Sequence, residues 1–406
     1  MREETQSQLV GRLLTHIDEA TTDVSEHVSL RSSDPYGDEE VYRREVDRIF
    51  RREPFIVAHV TQLASPGDYV ADDLLGVPFL LVKQSDGEIR GFVDLCRHRG
   101  TRLVAPGAGS AVAEGFTCPW HGWRYGLDGG LCGITDRQRG FPGIDMARRG
   151  LLSLTTEVRH GFVWATLDAD GERGAAELAD VADVARQLGS LDAEFTDLGL
   201  DTHTVYGHSR RPGRFNWKLG IEAFLETYHF RWLHPAMKKY VFAPDLSLVD
   251  GIGRHVRLVA PKKSVLGNRD LRPEDRRIRD HATIAYVLFP STVLFLEKRH
   301  ITVMSMRPTA VDACDVRFLH AVREDTLHRR AYYDDNIGKF MDAAAEDFAA
   351  LELAQDGFGR PGAVRAPGHG SVVFGRNEWG LQLFRANVDA ALAEQDPALS
   401  EKEDRR

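Results

Sequence analysis

Two short stretches of this chain, LCRHRG at 95–100 and FTCPWHGWRYGLDG at 116–129, each set a cysteine beside a histidine among residues that favour tight turns. They read as Cys96-x-His98, a gap of 19 residues, then Cys118-x2-His121. A structural zinc site commonly takes two cysteines from one knuckle and its remaining ligands from a second piece. Here each knuckle supplies one cysteine and one histidine instead. That arrangement suits a two-iron cluster in which two thiolates hold one iron and two imidazoles the other. Replacing two thiolates by neutral imidazoles makes such a cluster less negative and raises its potential. Gly100, Pro119 and Gly122 allow hairpin tips that turn backbone N–H groups towards the sulfides. A zinc-stabilised fold and a chance pairing of packed cysteines with satisfied histidines are the competing readings. Cys132 and Cys314 have no such neighbours and read as non-ligands.

A chain of 406 residues, 42% hydrophobic and 28% charged, is long enough for two globular domains. Its net charge of -9 argues against a nucleic-acid or anionic-membrane partner. The N-terminus lacks an apolar signal core and no stretch of 18 apolar residues occurs, so a cytoplasmic protein is expected. In that compartment four cysteines are no disulfide framework. Residues 7–20 carry a helical pattern through Leu9, Val10, Leu13, Leu14 and Ile17. From Phe55 to Asp168 short apolar runs (FIVAHV, VPFLLVKQ, IRGFVDL, GFVWATL) alternate with turn material such as SPGD and LDGG, which predicts a β-rich domain. The polar stretch DADGERGAAELAD closes it. Beyond lie THTVYGHS, a helix predicted over about 215–230, and the strand candidates ATIAYVLF, TVLFLEK, ITVMSMR and CDVRFLHAVRE. Helices are predicted over 332–355 and 380–393, giving an α+β domain with an antiparallel sheet. The expected division is a helical segment 1–50 packing on the second domain, a β-rich domain 51–170, a second domain 171–395 and a polar tail 396–406. Residues 241–273 are expected to form a loop covering a pocket.

The stretch NWKLGIEAFLETYHFRWLHP, 216–235, holds His229 and His234, with Glu226 three residues before the first. Five residues of a regular helix turn about 500°, leaving the two rings about 140° apart. Both can face one ion only if the helix is distorted or ends between them. Pro235 agrees, because the residue before a proline is pushed out of the helical region. Glu226 and His229, at i and i+3, share a face. Two histidines with room for a carboxylate suggest the facial triad of non-heme Fe(II) enzymes, which leaves positions open for O2 and substrate. Taken alone, His-x4-His equally describes two histidines at a helix end.

The two cysteine–histidine stretches, with Arg99-Gly100, Pro119, Gly122, Trp123 and Tyr125, resemble the Rieske [2Fe-2S] domain. The segment 216–235 resembles the catalytic motif of Rieske non-heme iron oxygenase alpha subunits, of the aromatic ring-hydroxylating type. The resemblance extends over about residues 50–390, through AAAEDFAALELAQDG and FGRNEWGLQLF. It implies that Cys96, His98, Cys118 and His121 bind the cluster and that His229 and His234 bind a mononuclear Fe(II). The third ligand it points to is Asp347, with Glu346 and Asp342 as rivals and Gln355 in the surroundings. Glu226 stands where many members carry Asp, and Ala223 follows Glu222 where most carry Asn. In the family that acid bridges to a Rieske histidine of the neighbouring subunit, so Glu226 is the implied electron-transfer bridge. The implied fold is a β-rich Rieske domain plus a helix-grip (START-like) catalytic domain with an antiparallel sheet and a long C-terminal helix.

The activity this resemblance implies is O2-dependent hydroxylation of a small organic substrate, aromatic in the first instance. Electrons come from NAD(P)H through a separate reductase, with or without a ferredoxin. No G-x-G-x-x-G follows a strand candidate in this chain. A head-to-tail homotrimer is the expected assembly. Two rivals stand beside this reading. One is a monooxygenase or N- or O-demethylase acting on a quaternary ammonium or methylated substrate, for which Glu226 and an aromatic box from Trp217, Trp232 or Trp379 would speak. The other is an electron carrier without catalysis.

Overall fold

The computed structural model describes residues 1–111, 115–167, 183–236, 246–358 and 370–393. The chain divides into a smaller unit, 50–187, and a larger one built from 1–49 and 188–406. The expected boundary at 170 and the tail 396–406 lie outside the described residues. No helix among the described residues is long and apolar enough to cross a membrane.

In the smaller unit the predicted apolar runs become strands of a seven-stranded antiparallel sheet. Its order is Phe55–His59, Phe162–Thr166, Ser153–Arg159, Ile89–Val93, Val77–Lys83, Asp68–Leu74 and Gly107–Ser110. A three-stranded sheet of Phe116–Thr117, Arg124–Tyr125 and Leu131–Gly133 frames residues 118–123 as a hairpin loop. Cys96, Cys118, Trp123 and Tyr125 share one core with Leu80, Phe92, Phe116 and Leu131. Full burial of each large side chain there contributes roughly 1.5–3 kcal/mol.

The larger unit is a second seven-stranded antiparallel sheet with helices on it. The strands run in the order His203–Gly213, Ala313–Arg323, His300–Ala310, Thr292–Leu296, Ala282–Leu288, His255–Pro261 and Leu248–Ile252. The last two fall inside the stretch expected to be a pocket-covering loop. They form a hairpin about Gly253, which sits at φ +57°, so 248–261 is sheet edge, not loop; residues 241–245 lie outside the described residues. One face of the sheet is packed by the 29-residue helix Arg330–Phe358, whose Phe340 meets Phe295 and Phe318. The N-terminal helix Glu3–Glu19 buries Leu9, Val10, Leu13 and Leu14 and packs near Ile278–His281.

The predicted single helix over 215–230 is two pieces, Trp217–Glu222 and Phe230–Leu233. Asn216 caps the first, its side-chain oxygen accepting from Lys218 N–H at 3.0 Å. Beyond Glu222 the bonds shorten to i→i+3, from Phe224 N–H to Ile221 O and from Leu225 N–H to Glu222 O, and the chain turns out. Asn216, Trp217 and Lys218 serve this architecture. Lys218 is fully buried and bonds both oxygens of Glu45 at 2.7 and 2.9 Å, while Trp217 Nε1–H donates to Glu45 at 2.8 Å. Gln355 of the long helix accepts from Asn216 N–H at 2.8 Å and donates to Tyr36 O at 3.0 Å.

Removing one partner of a buried ion pair is far worse than removing both. Glu45→Ala should therefore lower the unfolding free energy by roughly 3–5 kcal/mol, and Glu45→Leu with Lys218→Met should recover most of it in denaturant titrations. His203, His300 and His320 are buried in the larger unit, and burial lowers each imidazole to about 4 from an ordinary 6.5. Between those values the unfolded chain holds protons that the folded chain does not. Stability from these groups is complete above pH 6.5 and is lost as pH falls towards 4, at up to about 4 kcal/mol per pH unit for three protons. The double variant His300→Gln/His320→Gln should show a markedly flatter acid limb in unfolding measured from pH 7 to 4.5.

Candidate metal centres

The two cysteine loops of the smaller unit are built on one hydrogen-bond scheme. Cys96 N–H donates to Thr101 O at 2.8 Å, and Cys96 O accepts from Gly100 N–H at 2.8 Å. Cys118 N–H donates to Trp123 O at 2.7 Å, and Cys118 O accepts from Gly122 N–H at 3.1 Å. Each loop closes through a glycine in the left-handed region, Gly100 at φ +75° and Gly122 at φ +68°, which other residues adopt only with strain. A Cβ on Gly122 would also stand 2.7 Å from Thr135 Oγ1. The result buries both thiols, at 3% and 2% exposure, and leaves His98 and His121 half-buried at the surface.

Around the histidines the packing is aromatic. His98 stacks on Trp123 with ring centroids 4.9 Å apart and planes 8° apart, and meets His121 at 4.6 Å and Phe141 at 5.5 Å. These residues, with Trp120 and Thr135, line a surface depression of about 430 Å³. Tyr125 O–H lies 3.3 Å from Cys96 Sγ and accepts from Arg97 N–H at 2.9 Å, so its proton is free to point at the sulfur. Burial pushes the Cys96 thiol up, partly offset by Tyr125, so a thiolate there calls for cationic charge at the sulfur.

The donor set discriminates between one ion and two. Among the described residues, only His229, His234 and Asp347 form a group of three or more metal-binding side chains with ligand atoms all within 4.8 Å. Cys96 and Cys118 are instead buried in one core, while His98 and His121 stand ring to ring at 4.6 Å, so the four donors fall into two pairs. His98 Nδ1 is moreover buried without a hydrogen-bond partner. Two thiols on one side and two imidazoles on the other, one of them with an orphaned nitrogen, fit a two-iron cluster.

In the larger unit His229 ends the turn before Phe230–Leu233, and His234 follows that helix with φ -115°, ψ 66°, outside the helical region. The break brings both rings to Asp347 of the long helix. Asp347 Oδ1 stands 2.9 Å from His234 Nε2 and 3.4 Å from His229 Nε2. Ligands about 2.1 Å from an ion and at right angles stand about 3 Å apart, so one ion fits among these three atoms. Each outer nitrogen meets a second carboxylate. Glu226 takes His229 Nδ1 and, at 3.1 Å, His229 N–H. Glu346 takes His234 Nδ1 at 2.7 Å. Such partners fix which nitrogen carries the proton. Burial by itself would lower the His234 imidazole, but Asp347 and Glu346 outweigh it and hold it above its ordinary value.

The rivals to Asp347 separate cleanly. Asp342 is exposed, Glu346 reaches only the far side of His234, and Gln355 is spent on Asn216 and Tyr36 rather than on the metal site. Sequence reasoning missed Tyr125 and Trp123 as contacts of Cys96 and His98, although both sit in the quoted motif. It also missed Glu346 as an outer partner, a role that i,i+1 neighbours on a helix do not advertise.

Comparison with known proteins follows the same division. Residues 53–144 match the Rieske [2Fe-2S] domain model, and 200–394 match the ring hydroxylating alpha subunit catalytic domain model. The chain belongs to the Rieske-type ring-hydroxylating oxygenase alpha subunits. Biphenyl 2,3-dioxygenase subunit alpha of Rhodococcus jostii is 33% identical over 215 residues, 52% of this chain and 45% of that one. The large oxygenase component of the Pseudomonas aeruginosa naphthalene 1,2-dioxygenase system is 32% identical over 213 residues, 49% of this chain and 43% of that one. The chain thus spans about half the length of the curated relatives it matches. Among solved structures, a quaternary ammonium Rieske monooxygenase superposes with TM-score 0.75 at 20% identity, covering 92% of this chain and 97% of that one. Naphthalene 1,2-dioxygenase from Rhodococcus sp. gives 0.71 at 19%, covering 96% and 99%. At these identities the structures share a fold: the Rieske domain and the antiparallel catalytic sheet with its long helix.

Loss of the Tyr125 hydroxyl should leave the cluster assembled but lower its reduction potential, because one hydrogen bond to sulfur no longer stabilises the reduced form. A bond worth about 1 kcal/mol corresponds to roughly 40 mV for a one-electron couple. Protein-film voltammetry of Tyr125→Phe measures this directly.

Proposed function

We propose that this chain is the oxygenase component of a Rieske non-heme iron system that hydroxylates a small aromatic substrate. The observation that carries it is the convergence of His229 and His234, through a broken helix, on the buried carboxylate of Asp347. Cys96, His98, Cys118 and His121 would hold the [2Fe-2S] cluster, and His229, His234 and Asp347 a ferrous ion. When bound, the cluster supplies one-electron transfer and the ferrous ion supplies open positions for O2 beside substrate. The chain's own residues prepare both places. The glycine-closed loops keep the thiols dry while the imidazole edges stay accessible, which suits electron exit through His98 or His121. Glu226 accepts from His229 Nδ1 and directs its Nε2 lone pair inward; the family resemblance gives it the role of electron-transfer bridge in this reading.

The aromatic preference rests on the sheet face under the long helix. Phe224, Phe295, Phe318 and Phe340 interlock there edge to face, and Phe340 precedes Asp347 by two helical turns. Phe224 and Phe340 are only half-buried, so apolar surface remains open to a flat ring. A cation box is not supported by two of its candidates. Trp217 is fully buried against Phe384, with Lys218 already 5.2 Å from its ring, and Trp232 is 82% exposed. Glu226 in place of Asp is the feature that keeps N-demethylation of a quaternary ammonium substrate as the second reading. A separate NAD(P)H reductase, with or without a ferredoxin, and a homotrimer complete the proposal.

Purified protein given a surrogate reductase should form hydroxylated product coupled to O2 uptake with monocyclic or bicyclic aromatics. Aldehyde release from methylated amines instead would favour the second reading, and no turnover with either class would favour an electron carrier. His229→Ala should abolish product and mononuclear iron while sparing the Rieske EPR signal; survival of both activities would remove the iron assignment.

A further inference from the structure

We infer that Glu346 is a positioning residue for the mononuclear iron site, acting through His234 and not as an iron ligand. The inference rests on the reading of His229, His234 and Asp347 as iron ligands. Glu346 and Asp347 are consecutive on the helix Arg330–Phe358, and consecutive helical residues point about 100° apart. His234 lies across both directions: Asp347 Oδ1 stands 2.9 Å from Nε2, and Glu346 Oε2 stands 2.7 Å from Nδ1. One turn of helix therefore grips both edges of a single imidazole. The Glu346 side chain is 47% exposed, and it presents a carboxylate oxygen, a hydrogen-bond acceptor, to Nδ1. Nδ1 must then carry the hydrogen, which leaves Nε2 with its lone pair aimed at the position between Asp347 and His229. Glu346 is at the same time kept out of the ligand set, since its oxygen is engaged on the far side of the ring. His229 is wired in the same way by Glu226, whose side chain is 10% exposed. The two iron histidines thus have one buried and one solvent-facing outer carboxylate, and the solvent-facing one sits on a rigid helix beside the anionic ligand.

Outer carboxylates of this kind commonly set metal affinity by 10- to 100-fold. The test uses full-length protein that retains its Rieske cluster and is freed of mononuclear iron by a mild chelator. Ferrous iron is then titrated against a chromophoric competitor. Glu346→Ala should raise the Fe(II) Kd about 10- to 100-fold. Glu346→Gln, which keeps an acceptor but not the charge, should lie between the two. The Rieske visible spectrum and the unfolding midpoint of the iron-free protein should match the parent in both variants. A parental Kd in Glu346→Ala would overturn the inference, as would a weakening that tracks a fall in the iron-free unfolding midpoint. His229→Ala separates this from the underlying reading. If it binds Fe(II) as tightly as the parent, the three-ligand assignment itself fails. If it loses binding while Glu346→Ala keeps it, the positioning role alone fails.

Discussion

Two imidazoles five residues apart cannot meet one carboxylate from a regular helix; here they flank the short helix Phe230–Leu233, which can form only because the preceding helix ends at Glu222. Helix Trp217–Glu222 is short because its start and its end are both held from outside. Asn216 caps it and is itself gripped by Gln355. Its interior is fastened by Glu45 through Trp217 and Lys218, and its last residue, Glu222, accepts from Tyr36 O–H at 2.7 Å. Gln355 stands on the same helix as Asp347, two turns further on, so the broken helix and the helix bearing the carboxylate are tied by a buried hydrogen bond close to where they converge. The N-terminal segment contributes no ligand, yet Tyr36 and Glu45 make it part of the site's foundation.

The smaller unit solves a different problem with the same economy. Four donors must be presented in two chemically distinct pairs from two loops of unequal ligand spacing. Both loops use one closure, in which the cysteine carbonyl takes a glycine N–H four residues on and the cysteine N–H reaches one residue further. The histidine falls at the second position of one loop and the third of the other, and the ring contacts absorb the difference. His98 lies flat on Trp123, while His121 sits beside Trp120, 4.4 Å away and tilted by 34°. Arg99 in turn lies 4.2 Å over Trp120, a cation–π contact that seats the ring at the rim.

The candidate ligands stand out in the sequence because their chemistry is local. A cysteine and histidine three residues apart, or a histidine before a proline, states its constraint in a few letters. The strands with strong apolar runs were legible for the same reason. What escaped depends on partners far away in the chain. The hairpin 248–261 carries a loop-like pattern because its glycines and charged residues mask a strand pair whose burial comes from the neighbouring strand Ala282–Leu288. The helix over 215–230 looked continuous because its apolar pattern continues past Glu222, and only the tertiary holds on Asn216 and Glu222 end it. Asn216-Trp217-Lys218 gave no hint of its role, since Glu45 and Gln355 lie 172 and 139 residues away from their partners. Glu346 and Asp347 look interchangeable in sequence, and only the orientation of His234 between them tells them apart.

Burial divides both centres in the same sense. In the smaller unit the thiols are inside and the imidazoles reach the surface; in the larger one Asp347 and His234 are inside, at 4% and 2% exposure, and His229 is half-buried. Anionic ligands buried beside a cation are stabilised most strongly because little water competes for either charge. A neutral ring at the rim loses less by meeting solvent and keeps an N–H available to a partner. Each centre therefore holds its charge in the interior and opens on its histidine side. If electrons enter at one centre and leave at the other, as proposed, the neutral, hydrogen-bonding edge is the side that can be approached without desolvating a charge.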